Sequence, residues 1–174
     1  MDDVKKVAWS SEVKCLRAYF LFNLAFYYKD VPMPLTTLSV EEANSISQTS
    51  QADVYTQVEN DLKDAIDILP PEYPSEEYGR FTRGAAKTLL SRLYLAQERW
   101  DDAAKILKEV IDSEIYELDR RNGEESYDKL FQIGGEYSPE MIFCIMGVKD
   151  MYTNSRYQYL YPEAAYGGWH QFSP

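Results

Sequence analysis

TRGAAKTLLSRLYLAQERWDDAAKILKEVIDS, residues 82–113, decides the fold. Thr82 supplies a hydroxyl that can cap a helix, and Ala85, Ala86, Leu89, Leu90, Leu93 and Tyr94 then recur at spacings of three and four, so they share one side of it. A second helix begins almost at once, near Trp100, and runs to Ser113 with Ala103, Leu107, Val110 and Ile111 as its inward face. Two helices joined by so short a turn fold back on each other as an antiparallel hairpin.

Working outward, Ser50 followed by Asp53 resembles a capping box. Val54, Val58, Leu62, Ala65/Ile66 and Leu69 form one stripe that ends at Pro70 and Pro71. Upstream lies a helix over about 10–28. Val13, Leu16, Phe20, Leu24 and Tyr27 make one apolar line on it, and Cys15, Tyr19, Phe22 and Phe26 make a second, which predicts a helix sandwiched between neighbours. Arg17 inside that helix is costly to bury alone and is expected to reach a carboxylate or a carbonyl. Residues 29–50, with Asp30, Pro32, Pro34 and a Ser/Thr-rich stretch, read as a long surface loop. After Ser113 the period changes: residues 115–118 are extended in character, Asn122-Gly123 signals a turn, and 140–148 reads as a buried strand. Residues 150–174 hold no sustained period and form an irregular, aromatic-rich tail.

The hairpin fits the tetratricopeptide pattern. Ser91 and Ala103 are the small positions, Tyr94 and Trp100 the aromatic ones, and Leu107 and Val110 the apolar ones. Because one hairpin cannot bury its own face, the two upstream helices are expected to stack on it as an imperfect second unit joined by a long loop. The fold class is therefore mainly α, tetratricopeptide-like helical hairpins with long loops and a small extended element. A plain helical bundle is the competing architecture.

Composition narrows the function. The chain has 174 residues and a formal net charge of −11, so a nucleic-acid partner or an anionic bilayer would repel it, and the few cations form no cluster. Its longest apolar run, 16–28, is too short to span a membrane. Cys15 and Cys144 each sit in an apolar segment as small hydrophobes, and whether they pair is left open. The only histidine is His170, and no metal-ligating, CxxC or glycine-rich phosphate motif accompanies it. No cofactor or metal is expected and an enzyme is not indicated. Aromatic content is the outlier, with 15 Tyr, 7 Phe and 3 Trp. Flat rings at a surface offer stacking platforms to sugar rings or to a protein, which nominates Trp9, Tyr166 and above all Trp169, whose preceding Gly167-Gly168 leaves room for close approach.

Five blocks in order carry a resemblance: EVKCLRAYFLFNLAFYYKDVPMP (12–34), YTQVENDLKDAIDILP (55–70), GRFTRGAAKTLLSRLYL (79–95), WDDAAKILKEVIDS (100–113) and SPEMIF (138–143). Together they resemble the SusD/RagB family. The resemblance implies a cell-surface lipoprotein of the Gram-negative outer membrane, held by a lipid anchor outside this sequence. Such a protein captures oligosaccharide and hands it to a SusC-type TonB-dependent transporter. It also implies that residues 1–174 are one partial tetratricopeptide region, a central fragment or truncated form of a longer protein. Arg17, Tyr94 and Trp100 fall at scaffold positions. The competing functions are a repeat-type protein-interaction scaffold without a sugar site and, weakest, a carboxylate-based glycoside hydrolase.

Overall fold

A computed structural model describes residues 3–131 and 135–145. The chain divides into two compact units, Met1–Phe143 and Cys144–Pro174. The tail from 150, with Tyr166, Trp169 and His170, lies outside the described residues.

Among the described residues six α-helices follow in order: α1 (Asp3–Tyr28), α2 (Val40–Ser45), α3 (Gln51–Ile68), α4 (Arg83–Ala96), α5 (Trp100–Ile111) and α6 (Ser126–Leu130). α1 packs on α3, α3 on α4 and α4 on α5, so two hairpins stack side by side, the first closed by a long connection and the second by a tight turn. The core runs through them. Cys15, Ala18, Phe22 and Ala25 of α1 meet Val54, Val58, Leu62 and Ala65 of α3, and beyond them Ala86, Leu90, Leu93 and Tyr94 of α4 and Ala103 of α5.

Local chemistry sets the helix ends. Thr82 and Ser50 accept the backbone N–H of Ala85 and Asp53, as their sequence contexts predict. α1 is left at Lys29, which takes the left-handed conformation (φ 67°) while its N–H bonds the Ala25 carbonyl at 3.0 Å. The start of α3 and the end of α1 then cap each other. Asp30 accepts the Gln51 N–H at 2.9 Å, and the Gln51 amide donates to the Ala25 carbonyl at 2.7 Å. Such cross-satisfaction removes orphan groups from two helix ends at once.

Several expectations need correction. The loop 29–50 holds the short helix α2, nucleated by a capping box between Ser39 and Glu42. The sandwich expected for α1 is half there. Its inner face is buried, but Val13, Leu16, Phe20, Leu24 and Tyr27, on the opposite side, are all exposed. Ile111, expected on the inward face of α5, is 72% exposed, while its neighbour Val110 is buried. Residues 140–145 form no strand. Among the described residues a backbone bond from the Glu117 N–H to the carbonyl of Pro139, just before this stretch, is the link to 115–118, and no ladder forms, while 146–148 lie outside the described residues. The extended element among the described residues is the single antiparallel bridge between Val31 and Thr49.

Candidate functional site

Arg17 reaches the carboxylate expected of it. Its Nε and Nη2 donate to the two oxygens of Asp61 at 2.7 and 2.6 Å, a bidentate pair joining α1 to α3. The Asp61 side chain is buried, and Gln57 donates to it as well. One turn away on α1, Glu12 takes Arg80 and the Tyr73 hydroxyl, which ties the 70–82 connection down. Arg80 also lies 4.4 Å over the Tyr73 ring. Burial, with Glu12 beside it, pushes the Tyr73 hydroxyl up to about 12. Between these groups Cys15 is fully buried, and desolvation reinforced by Glu12 and Asp61 raises its thiol to about 12, so it packs and does not act as a nucleophile.

A second polar cluster joins α3 to the second hairpin. Arg99 donates to Glu59 at 2.7 Å and to Asp102 at 2.8 Å, and lies 4.1 Å over the Tyr94 ring. The Tyr94 hydroxyl donates to Glu59, and Lys63 pairs with the same carboxylate at 2.7 Å. Burial works against the ionised Glu59, but the hydrogen bonds from Arg99 and Lys63 prevail and hold its carboxyl below the ordinary range. Tyr94 is thus a scaffold residue, as its tetratricopeptide position predicts. Trp100 opens α5 and is 61% exposed.

A concavity lies where α1, α4 and the 140–143 segment meet. It has a volume of about 300 Å³ and is walled by Tyr19, Phe81, Leu89 and Phe143, with Arg92 and Glu140 at its rim. Phe81 and Phe143 stack nearly face to face, 4.4 Å between centroids at 12°. Arg92 sits 5.4 Å from the Phe22 ring. A mostly apolar wall with a cation and a carboxylate at its edge can hold a ligand with one apolar face and several hydroxyls. The wall's far side is fixed by Asp119, which is buried and accepts from Arg121 and Ser138, while its N–H donates to Glu140 at 3.2 Å. Arg121 first, then Ser138, holds the Asp119 carboxyl well below the usual carboxylate range. Gly84 is required close by. A Cβ there would stand 2.5 Å from Cε2 of Tyr116, whose hydroxyl shares a hydrogen bond with Thr82.

Of the three nominated aromatic residues, Trp9 is described. It is 49% exposed on α1, one turn before Val13, and does not line this cleft. Tyr166 and Trp169 lie outside the described residues. Phe81, Phe143 and Arg92 were not nominated from the sequence, because the first two stand about sixty residues apart and no period links them. Among the described residues no group of three His, Cys, Asp or Glu side chains could hold a metal ion, and no helix is long and apolar enough to cross a membrane.

Comparison with known proteins agrees with this architecture. Residues 3–95 match a SusD-like family described as "Starch-binding associating with outer membrane". A SusD-like protein from Bacteroides fragilis superposes with a TM-score of 0.77 at 31% identity, over 86% of this chain and 29% of that one. A laminarin-binding SusD-like protein is 40% identical over 63% of this chain and 24% of its own, with a TM-score of 0.61. The curated SusD-like protein P25 of Formosa agariphila is 25% identical over 81% of this chain. The chain spans 26% of that relative's length. With a family match over more than half the sequence and the same stacked hairpins, this chain belongs to the SusD-like family.

Proposed function

We propose that the chain is part of a non-enzymatic, surface-exposed glycan-binding component of the outer membrane, one that presents oligosaccharide to a SusC-type TonB-dependent transporter and is held by a lipid anchor. The observation that carries this reading is the match of residues 3–95 to a starch-binding, outer-membrane-associated family, joined to 40% identity with a relative that binds laminarin. Binding rests on aromatic faces, which supply affinity, and on a few polar groups, which select hydroxyl patterns. Trp169, Tyr166 and Trp9 are the proposed stacking residues, and the cleft of Phe81 and Phe143, with Arg92 at its rim, is a second place where a sugar ring fits.

Calorimetry of the purified chain with laminarin and starch oligosaccharides tests this. The expected result is binding of an oligosaccharide with no shortened products, weakened at least about tenfold, or ~1.4 kcal/mol, by Trp169→Ala. A folded chain that binds neither glycan would remove the site from these residues. Shortened products would overturn the non-enzymatic reading. Loss of binding in Phe143→Ala but not in Trp169→Ala would move the site to the cleft.

A further inference from the structure

Around the cleft of Phe81 and Phe143, three polar side chains lack the partners that such groups find elsewhere among the described residues. Arg17, Arg80, Arg99 and Arg121 each hold a carboxylate, and Arg83 holds the Leu69 carbonyl. Arg92 holds neither, and its one contact of this kind is with the Phe22 ring, 5.4 Å from the centroid. The hydroxyls of Tyr55, Tyr73, Tyr94 and Tyr116 are hydrogen-bonded, whereas that of Tyr19 is not. Glu140 accepts the Asp119 N–H through Oε2 at 3.2 Å and leaves Oε1 uncommitted. Thr88, the other polar side chain of the lining, already donates to the Gly84 carbonyl.

Arg92 and Glu140 are opposite in charge and line the same cleft, yet they form no ion pair with each other among the described residues. Glu140 cannot swing freely to close that gap. Its N–H donates to Ser138 and its carboxylate takes the Asp119 N–H, while Asp119 is itself anchored by Arg121 and Ser138. A guanidinium donates and never accepts, and a carboxylate accepts and never donates, so the space between them suits a ligand whose polar atoms do both.

We propose that this cleft is a subsite for one neutral sugar unit, read by Arg92, Glu140 and Tyr19, and that it rejects acidic sugars. This rests on the glycan-binding reading above and adds to it the ligand's charge class. One hydroxyl accepts from Arg92, a neighbouring hydroxyl donates to Oε1 of Glu140, and the apolar face of the ring lies along the Phe81–Phe143 wall. A volume of about 300 Å³ stands at the small end for ligand sites, which fits one sugar unit and not a longer stretch of chain. A uronate could pair with Arg92, but it would bring a second carboxylate up to Glu140 within a chain of net charge −11. An amino sugar would meet the same conflict at Arg92.

Calorimetry with laminarihexaose, which is neutral, and with a galacturonate hexamer tests this. Both are titrated into the intact sequence and into Trp169→Ala, which removes the foremost tail platform, and then into Arg92→Gln and Glu140→Gln made in the Trp169→Ala background. Thermal unfolding confirms that each variant is folded. Laminarihexaose is expected to bind Trp169→Ala and to be weakened about tenfold by each cleft substitution, the size of one hydrogen bond to a charged group. The galacturonate hexamer is expected to bind at least about tenfold more weakly than laminarihexaose, and Glu140→Gln is expected to strengthen it. Equal affinity for the two hexamers would overturn the proposal, as would laminarihexaose binding indifferent to both cleft substitutions. Binding that needs Trp169 altogether would also overturn it while leaving the glycan reading in place. A folded chain that binds laminarihexaose in neither background would end both.

Discussion

Along α3 and α4 nearly every position that the helical period turns inward is buried, whereas the described part of 115–143 carries several large apolar side chains and buries few fully. The first region has a neighbour on each side of every helix, so area removed from water does the holding. The second, among the described residues, forms no ladder and meets the stacked helices only locally. It is held by point contacts: Asp119 to Arg121 and Ser138, Tyr116 against Gly84, and Phe143 on Phe81. Apolar content does not make a core without a partner surface, and polar contacts replace it where there is none.

The contrast can be broken by mutation. Leu93, fully buried in the core, is expected to cost about 2–5 kcal/mol on change to Ala, read by denaturant unfolding. A cost under ~0.5 kcal/mol would mean that the core there does not depend on close packing. Arg17→Ala leaves the buried Asp61 carboxylate with only Gln57, and a loss of about 2 kcal/mol is expected, toward the low end for a broken pair because Arg17 is itself a third exposed. Gly84→Ala sharpens the comparison, since it pushes one region against the other. It should cost about 1–3 kcal/mol, and Tyr116→Phe in the same background should restore it only in part, because the added Cβ meets Cε2 of the ring as well as the hydroxyl. A full rescue would show that the hydroxyl alone is in the way.

The smallest effect is in pH. Glu59 and Asp119 both have folded-state values below the ordinary carboxylate range. Their contribution is therefore fully present above the unfolded carboxylate value, about 4, and is lost as pH falls through the lower folded values. Glu59→Gln should flatten that acid slope in melting curves while leaving the plateau near neutral pH only slightly lower. An unchanged slope would mean that Arg99 and Lys63 do not favour the ionised form.

Much of this architecture was legible in the residues. Leu89, Leu90, Leu93 and Tyr94 share a face because the period says so, Thr82 caps because its hydroxyl precedes the run, and Arg17 finds Asp61 because an isolated cation could not be buried. Other features were not. Period tells which residues share a side of a helix but not whether anything stands opposite, which is why the outer stripe of α1 was expected to be covered and is not. The run at 140–145 has strand-like composition, yet strand formation depends on a ladder that no local pattern encodes. The cleft escaped notice for the same reason: Phe81 and Phe143 meet only through the tertiary fold. Glu59 and Lys63, by contrast, stand four apart on α3 and could have been read as an ion pair.

The bridge between Val31 and Thr49 has a consequence for how this scaffold can vary. Its two backbone bonds, 3.1 and 2.9 Å long, pinch the base of the connection between α1 and α3, and the Asp30 and Gln51 caps reinforce the pinch from inside. Met33 still packs against the core, but beyond it residues 34–48 are mostly exposed. Lengthening such a closed loop costs only about 0.6 kcal/mol per doubling. The pinch turns the connection into an insertion port, where a graft or an added recognition element can be carried without disturbing the two hairpins beneath.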